Sequence, residues 1–276
     1  MDGHTHSTYS YDGKNTAREM AEFALAAGYG YLAVTDHCDF DCARLGGFEW
    51  SEPLDASAWN DGLTGLADEF RGRLYIARGA EFGYLAEANG DYSEFVGRYN
   101  PDVIINSVHL TEGKDLYSPE YFSESAGDAA NPRLRRPRSR AYGAYLRAVR
   151  ESLDAPYRFD VVGHLGYISR RAPYDRPALA LSDSRELFID ILETVKNKGK
   201  ALEINSNAGR TCDFLPSAEI FKAYRAIGGE LVTFGSDAHT ASRICDKLDT
   251  AEELLRSLGF RYLFVYKGGE PYGVKL

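Results

Sequence analysis

Short apolar runs recur along this chain, and each one before the last breaks off into polar, often ionisable residues. Tyr31–Val34 stops at Thr35-Asp36-His37, and further runs lie near Leu74–Ala77, Val103–Ser107, Val161–Gly163, Ala201–Ile204, Leu231–Phe234 and Tyr262–Val265. Such runs suit strands buried on both faces. Helical spacing alternates with them over Thr16–Ala27, Ala141–Leu153, Ser184–Lys198, Ser217–Ile227 and Ala251–Leu258. Alternating strands and helices predict a parallel sheet. Polar groups after nearly every strand, rather than at one switch point, favour a closed α/β barrel with its site at the C-terminal strand ends.

A chain of 276 residues, 44% hydrophobic, can bury one such barrel, so residues 1–276 are read as a single catalytic domain. Long insertions fall near residues 38–60 and 110–140. Within them, Cys38–Pro53 and Leu110–Arg140 read as loops over the barrel mouth. The second carries Gly127-Asp128, Asn131-Pro132 and the basic run Arg133–Arg140, which reads as a flexible lid or a solvated face. The segment after Lys267 reads as a turn and a short extended tail.

A net charge of −9 opposes broad binding to nucleic acid or anionic membrane but leaves room for a small anionic substrate met by local positive charge. Cys38, Cys42, Cys212 and Cys245 form no CxxC pair, as expected of reduced thiols in a cytoplasm. The N-terminal residues lack a basic start and an apolar core, and no apolar run approaches the ~20 residues that span a bilayer. A cytoplasmic protein without membrane insertion is therefore expected.

All six histidines sit at predicted strand ends. His4 and His6, one residue apart, project from one face of a strand. Asp237 and His239 repeat that spacing after Leu231–Phe234. Between them His37, Glu81, His109 and His164 follow the second to fifth strands. One such histidine is more often a strand-end hydrogen-bonding group than a ligand. Six of six, with none in a helix or in the two insertions, point to a metal cluster.

Asp2-Gly-His-Thr-His, Thr35-Asp-His, Glu81, Ser107-Val-His, Gly163-His and Gly235-Ser-Asp-Ala-His resemble the successive motifs of the polymerase and histidinol phosphatase (PHP) superfamily. The resemblance implies a distorted (β/α)7 TIM-like barrel holding up to three divalent metals, Zn, Mn or Fe. Carried onto this chain it places His4, His6, Glu81 and Asp237 on one metal and the bridging Glu81, His109 and His164 on a second. Asp12, His37 and His239 would hold the third, with Asp12 standing where many relatives carry histidine. Three dications against three carboxylates leave a positive hole suited to a phosphate dianion. Metals about 3.5–4 Å apart also acidify a bridging water for in-line attack.

Ser10-Tyr-Asp-Gly, Ser107-Val-His-Leu and the long insertion after it resemble the histidinol phosphatases of the superfamily most. That likeness implies phosphomonoester hydrolysis by a metal-bridged hydroxide, with histidinol phosphate as the small phosphorylated substrate. Other members act on nucleotides, oligonucleotides or sugar phosphates, and a barrel that binds phosphorylated ligands without turnover is a third reading. Catalytic roles are expected of Glu81, Asp237 and His239. Arg170 and Arg171 follow His164 near the mouth, either to grip phosphate or as a solvated loop pair. Asp2 and Asp36 can orient imidazoles or simply bond strand ends. Asn205 and Asn207 are placed to line the pocket, and Asp115, Tyr117, Glu120, Tyr121 and Phe122 to meet a cationic substrate group.

Overall fold

The structure is a computed structural model that describes residues 1–40, 54–124, 135–209 and 212–276. Its first strands are β1 (Asp2–Thr5), β2 (Tyr31–Cys38), β3 (Tyr75–Gly83) and β4 (Val103–Ser107). A small hairpin, β5 (Leu110–Thr111) and β6 (Lys114–Asp115), precedes β7 (Val161–Val162), β8 (Ala201–Asn205) and β9 (Val232–Gly235). The seven long-range strands run parallel in the order β1-β2-β3-β4-β7-β8-β9. A parallel bridge from Thr5 to Ala238 brings β9 back to β1 and closes the barrel.

That seam is reinforced by the backbone bonds from Asp237 N to His4 O (2.8 Å) and His6 N to Ala238 O (2.9 Å). The buried Asp2 carboxylate accepts from the Ser236 and Cys245 amides at 3.0 and 2.7 Å. Asp2 therefore bonds strand ends and does not orient an imidazole.

Helices cover the outside: α1 (Ala17–Ala26), α2 (Ala56–Phe70), α3 (Asn89–Tyr99), α4 (Arg138–Ser152), α5 (Arg185–Asn197), α6 (Ala218–Ala226) and α7 (Leu248–Ser257). Thr16 caps α1 in a reciprocal box with Glu19, which fixes where the predicted helix starts. The sequence reading did not anticipate α2 and α3. Gly62 and Gly65 interrupt the first and Gly90 and Gly97 the second, and their weak helical propensity is overridden by Trp59, Leu63, Leu66 and Phe70, and by Tyr92 and Phe95, buried in the core.

The last apolar run, Tyr262–Val265, departs from the barrel rhythm. It forms β10 (Tyr262–Lys267), which pairs antiparallel with β11 (Glu270–Lys275). Gly268 and Gly269, at φ 57° and 84°, allow the tight reversal that sends the chain back. Val265 and Tyr266 then plug the N-terminal end of the barrel against Tyr31, Ala33, Ala77, Val103, Ile105, Val161 and Ala201.

Residues 41–53, most of the first predicted mouth loop and including Cys42, and residues 125–134, about a third of the second, lie outside the described residues. The described part of the second insertion is built into the fold. Tyr121 and Phe122 are buried in the core rather than facing a ligand, and the Tyr121 hydroxyl donates to Ala141 O at 2.9 Å. Arg136, Arg138 and Arg140 pair with Glu112, Asp183 and Glu124, so these arginines of the basic run are neutralised within the chain. Among the described residues no helix is long and apolar enough to cross a membrane.

Inside the barrel the two-residue period of each strand stacks side chains in layers. Tyr31, Ala33, Thr35 and His37 rise along β2, and Ala77, Gly79 and Glu81 along β3, in matched register. Apolar groups fill the bottom, small residues the middle, and ionisable groups the top. The glycines are steric necessities: a Cβ on Gly79 would lie 2.5 Å from Thr35 Cγ2 and 2.9 Å from Val103 Cγ1. Gly79→Ala should lower the unfolding free energy by about 1–3 kcal/mol in chemical denaturation while leaving every candidate ligand in place; unchanged stability would show that the middle layer is not tightly packed.

Candidate metal centre

Glu81 stands at the top of β3, buried on the barrel axis. Its Oε1 lies 2.7 Å from His164 Nε2 and 3.3 Å from His109 Nε2. Its Oε2 lies 3.1 Å from His37 Nδ1, 3.4 Å from His4 Nε2 and 3.6 Å from His6 Nε2. One carboxylate thus faces five imidazoles, two on one oxygen and three on the other. Asp237 Oδ1 is 3.3 Å from His6 Nε2 and 3.8 Å from His4 Nε2. Asp12 completes the rim, 2.9 Å from His239 Nε2 and 3.9 Å from His37 Nε2. All nine side chains expected as ligands are brought together.

Partners behind the ring fix its tautomers. His4 Nδ1 is 2.7 Å from Glu203 Oε1, and His239 Nδ1 donates to Asp237 O at 3.0 Å. Ser10 Oγ donates to Asp36 Oδ1 at 2.8 Å and so offers a lone pair to His6 Nδ1 at 3.2 Å. Asp36 thus orients an imidazole through a hydroxyl. With both Nδ1 atoms engaged outward, the Nε2 atoms of His4 and His6 face each other across 3.0 Å, lone pair to lone pair when both rings are neutral. That contact repels unless a proton on one ring or a metal ion against both relieves it.

Buried atoms without hydrogen-bond partners also collect here: Glu81 Oε2, His37 Nδ1, Asp12 Oδ1 and His164 Nδ1. Ligand atoms fall into overlapping groups within 4.8 Å: His4-His6-Glu81, His4-His164-Asp237, Glu81-His109-His164, His6-His37-His239 and His37-Asp39-His109. Imidazole and carboxylate donors in this mixture suit Zn, Mn or Fe, so the residues present fit several divalent ions.

Electrostatics of the protein alone show the same demand for positive charge. Burial would raise Glu81, yet the charges of His4, His109 and His37 hold it well below the usual carboxylate range. Burial likewise opposes ionisation of Asp237, but Arg170 and His4 keep it well below its ordinary value. Asp12, despite burial, is lowered to about 2 by His239 and His37. Burial pulls His37 down, and Asp39 and Glu81 outweigh it to raise the ring to about 10. His6 goes the other way, to about 3, through burial and the neighbouring charges of His37 and His239. Without metal the carboxylates are balanced by protonated imidazoles, so metal uptake must displace protons.

Above the cluster opens a pocket of about 560 Å³ lined by Tyr117, Tyr167, Asp115, Arg170, Asn207 and the rim ligands, among others. Arg170 Nη2 is held by Asp237 Oδ2 at 2.6 Å and Asn205 Oδ1 at 3.3 Å, while its Nε has no partner. Arg171 is placed differently. It is exposed, stacks over the Tyr117 ring at 4.2 Å and donates to the Tyr117 hydroxyl at 2.8 Å. The paired reading of the two arginines therefore separates: Arg170 faces the cluster, and Arg171 braces an aromatic wall.

Sequence reasoning passed over Glu203 and Asp39. Glu203 is an acid inside a four-residue run otherwise apolar, at the same strand parity as Ala201, which is the signal that could have marked it. Asp39 lies two residues past His37 but inside the predicted loop Cys38–Pro53, where the pattern gives no strand to aim it.

The sequence profile of the PHP domain matches residues 2–207. The chain belongs to the PHP domain family. It is similar to the histidinol-phosphatase of Lactococcus lactis subsp. lactis (strain IL1403), 26% identical over 271 residues that cover 97% of this chain and 94% of that protein. It is also similar to a probable histidinol-phosphatase of Clostridium acetobutylicum, 23% identical with 97% of each covered. In structure it resembles the Lactococcus lactis histidinol phosphate phosphatase crystallised with zinc, L-histidinol and phosphate, with a TM-score of 0.84, 26% identity and 98% of each chain covered.

If Glu81 bridges two metals and Asp12 touches one, Glu81→Gln should lose more metal than Asp12→Asn and about 10²-fold or more in kcat. Metal analysis of both purified variants decides it; equal metal content in the two would remove the bridge.

Proposed function

We propose that this chain is a metal-dependent phosphomonoesterase that hydrolyses L-histidinol phosphate to L-histidinol and phosphate. The observation that carries this reading is the convergence of five imidazoles on Glu81, with Asp237, Asp12 and His239 beside them, at the floor of one pocket. The likeness to the zinc-, histidinol- and phosphate-bound Lactococcus enzyme over 98% of both chains supports the substrate. His4, His6, Glu81, Asp237, His109, His164, Asp12, His37 and His239 would hold the metals. When bound, these would supply Lewis acidity toward the phosphate and acidify water.

The chain's own groups do the rest. Arg170 is pinned through Nη2 and lines the pocket, so its guanidinium charge is held beside the cluster for a phosphate oxygen. Asp237, by holding that guanidinium at 2.6 Å, ties the phosphate grip to the metal ring. At the other side of the pocket Asp115 is a carboxylate on the pocket wall, shaped by a 2.8 Å bond from the Tyr117 amide. With the rings of Tyr117 and Tyr167 beside it, Asp115 offers charge and aromatic faces to the ammonium and imidazole of the substrate. Tyr121 and Phe122, expected in this role, serve the core instead, so a point substitution is a cleaner probe than shortening the insertion.

A phosphate-release panel tests the assignment: kcat/KM for histidinol phosphate should exceed that for nucleotides and sugar phosphates, and the reverse order would overturn the substrate. Asp115→Asn should raise KM for histidinol phosphate roughly tenfold to a hundredfold, the worth of a charge-assisted hydrogen bond. Hydrolysis of an aryl phosphate, which has no ammonium, should stay unchanged. Equal losses on both substrates would mean that Asp115 supports the site rather than reads the substrate.

A further inference from the structure

Glu203 lies on β8, fully inside the barrel, and its two oxygens reach two different strands. Oε1 is 2.7 Å from His4 Nδ1 at the end of β1, and Oε2 accepts the backbone amide of His164 beyond β7 at 2.5 Å. No lysine or arginine pairs with it among the ion pairs of the described residues; its charge is met by His4. Space for it is kept by Gly235 on the neighbouring strand, where a Cβ would sit 2.0 Å from Oε1 and 2.6 Å from His4 Cβ.

His4 groups with His6 and Glu81, and His164 with His109 and Glu81, while the two also meet around Asp237. These are the two halves of the cluster that Glu81 spans from within. We propose that Glu203 is the positioning residue that spans the same two halves from behind, fixing the His4 ring through its Nδ1 and the His164 main chain through its amide. With Nδ1–H donated to Glu203, His4 is held as the tautomer whose Nε2 lone pair faces the cluster. His164 has no such ring partner, since its Nδ1 is unbonded; its aim depends on where the main chain is held. With His4, His6, Glu81 and Asp237 on one metal and Glu81, His109 and His164 on the second, one side chain sets a donor of each position. The third position, formed by Asp12, His37 and His239, has no contact with Glu203.

This inference rests on the cluster being a metal centre, and the test separates the two ideas. Metal-free protein is titrated with Zn²⁺ against a competing chelator, and with Co²⁺ to follow the visible bands of the ligand field. Glu203→Gln keeps one carbonyl oxygen and can satisfy only one of the two donors, whereas Glu203→Ala satisfies neither. Two of the three binding steps should weaken together, by about 10- to 100-fold in Glu203→Gln and further in Glu203→Ala, with altered Co²⁺ bands and the remaining step unchanged. Gly235→Ala, which crowds the Glu203–His4 contact without changing charge, should weaken the step that involves His4. Gly79→Ala serves as the comparison, a barrel destabilised by packing alone, and should keep wild-type affinities. Affinities unchanged in Glu203→Ala, or all three steps weakened equally in it and in Gly79→Ala, overturn the positioning role. Wild-type protein that takes up no metal overturns the metal centre and this inference with it.

Discussion

Burying a carboxylate deep in a protein costs several kcal/mol unless positive charge meets it. Glu81 is buried on the barrel axis, and what meets it is a ring of five imidazoles rather than one lysine or arginine. Imidazoles can exchange protons for metal ions at nearly constant local charge, which a permanent cation cannot. Much of the rest of the fold is arranged around that requirement. The strands must end at a common height, the middle of the barrel must be slim, and the acids behind the ring must hold His4 and His6 in their roles.

The layered interior meets the second demand. Ala77, Gly79 and Glu81 along one strand, and Ala201, Glu203 and Asn205 along another, trade volume for chemistry as they rise. Where a glycine stands, a neighbour's functional atom occupies the vacated space: Ser107 Oγ beside Gly163, and Glu203 Oε1 beside Gly235. Ser107 uses that room to donate to Glu81 Oε1 at 2.6 Å. Packing and catalysis are thus the same problem in the upper half of this barrel.

Much of the architecture was legible in the sequence because strand burial on both faces writes itself as short apolar runs, and a site at the strand ends writes itself as a polar stop after each run. His4, His6, His37, Glu81, His109, His164, Asp237 and His239 were found that way. The helices α2 and α3 were not, since packing of Trp59 and Tyr92 rather than local propensity sustains them. Tyr262–Val265 was taken for another strand in the series because a run of apolar residues does not state its partner; the Gly268-Gly269 reversal does. Glu203 was missed since its role depends on two residues remote in sequence, and Tyr121 and Phe122 were misplaced because aromatic rings in an insertion look the same whether they face a ligand or a core.

The seam between β1 and β9 carries a consequence for how the molecule comes into being. It is sewn by Asp2 reaching Ser236 and Cys245, across 234 and 243 residues of chain. Contacts so distant in sequence form late, because loop closure must precede any reward from them. His4, His6, His37, Glu81 and His109 lie on or just after β1 to β4, whereas Asp237 and His239 follow β9 near the other end of the chain. The growing chain therefore lacks Asp237 and His239 until β9 docks, so closing the barrel and completing the set of donors are one and the same event.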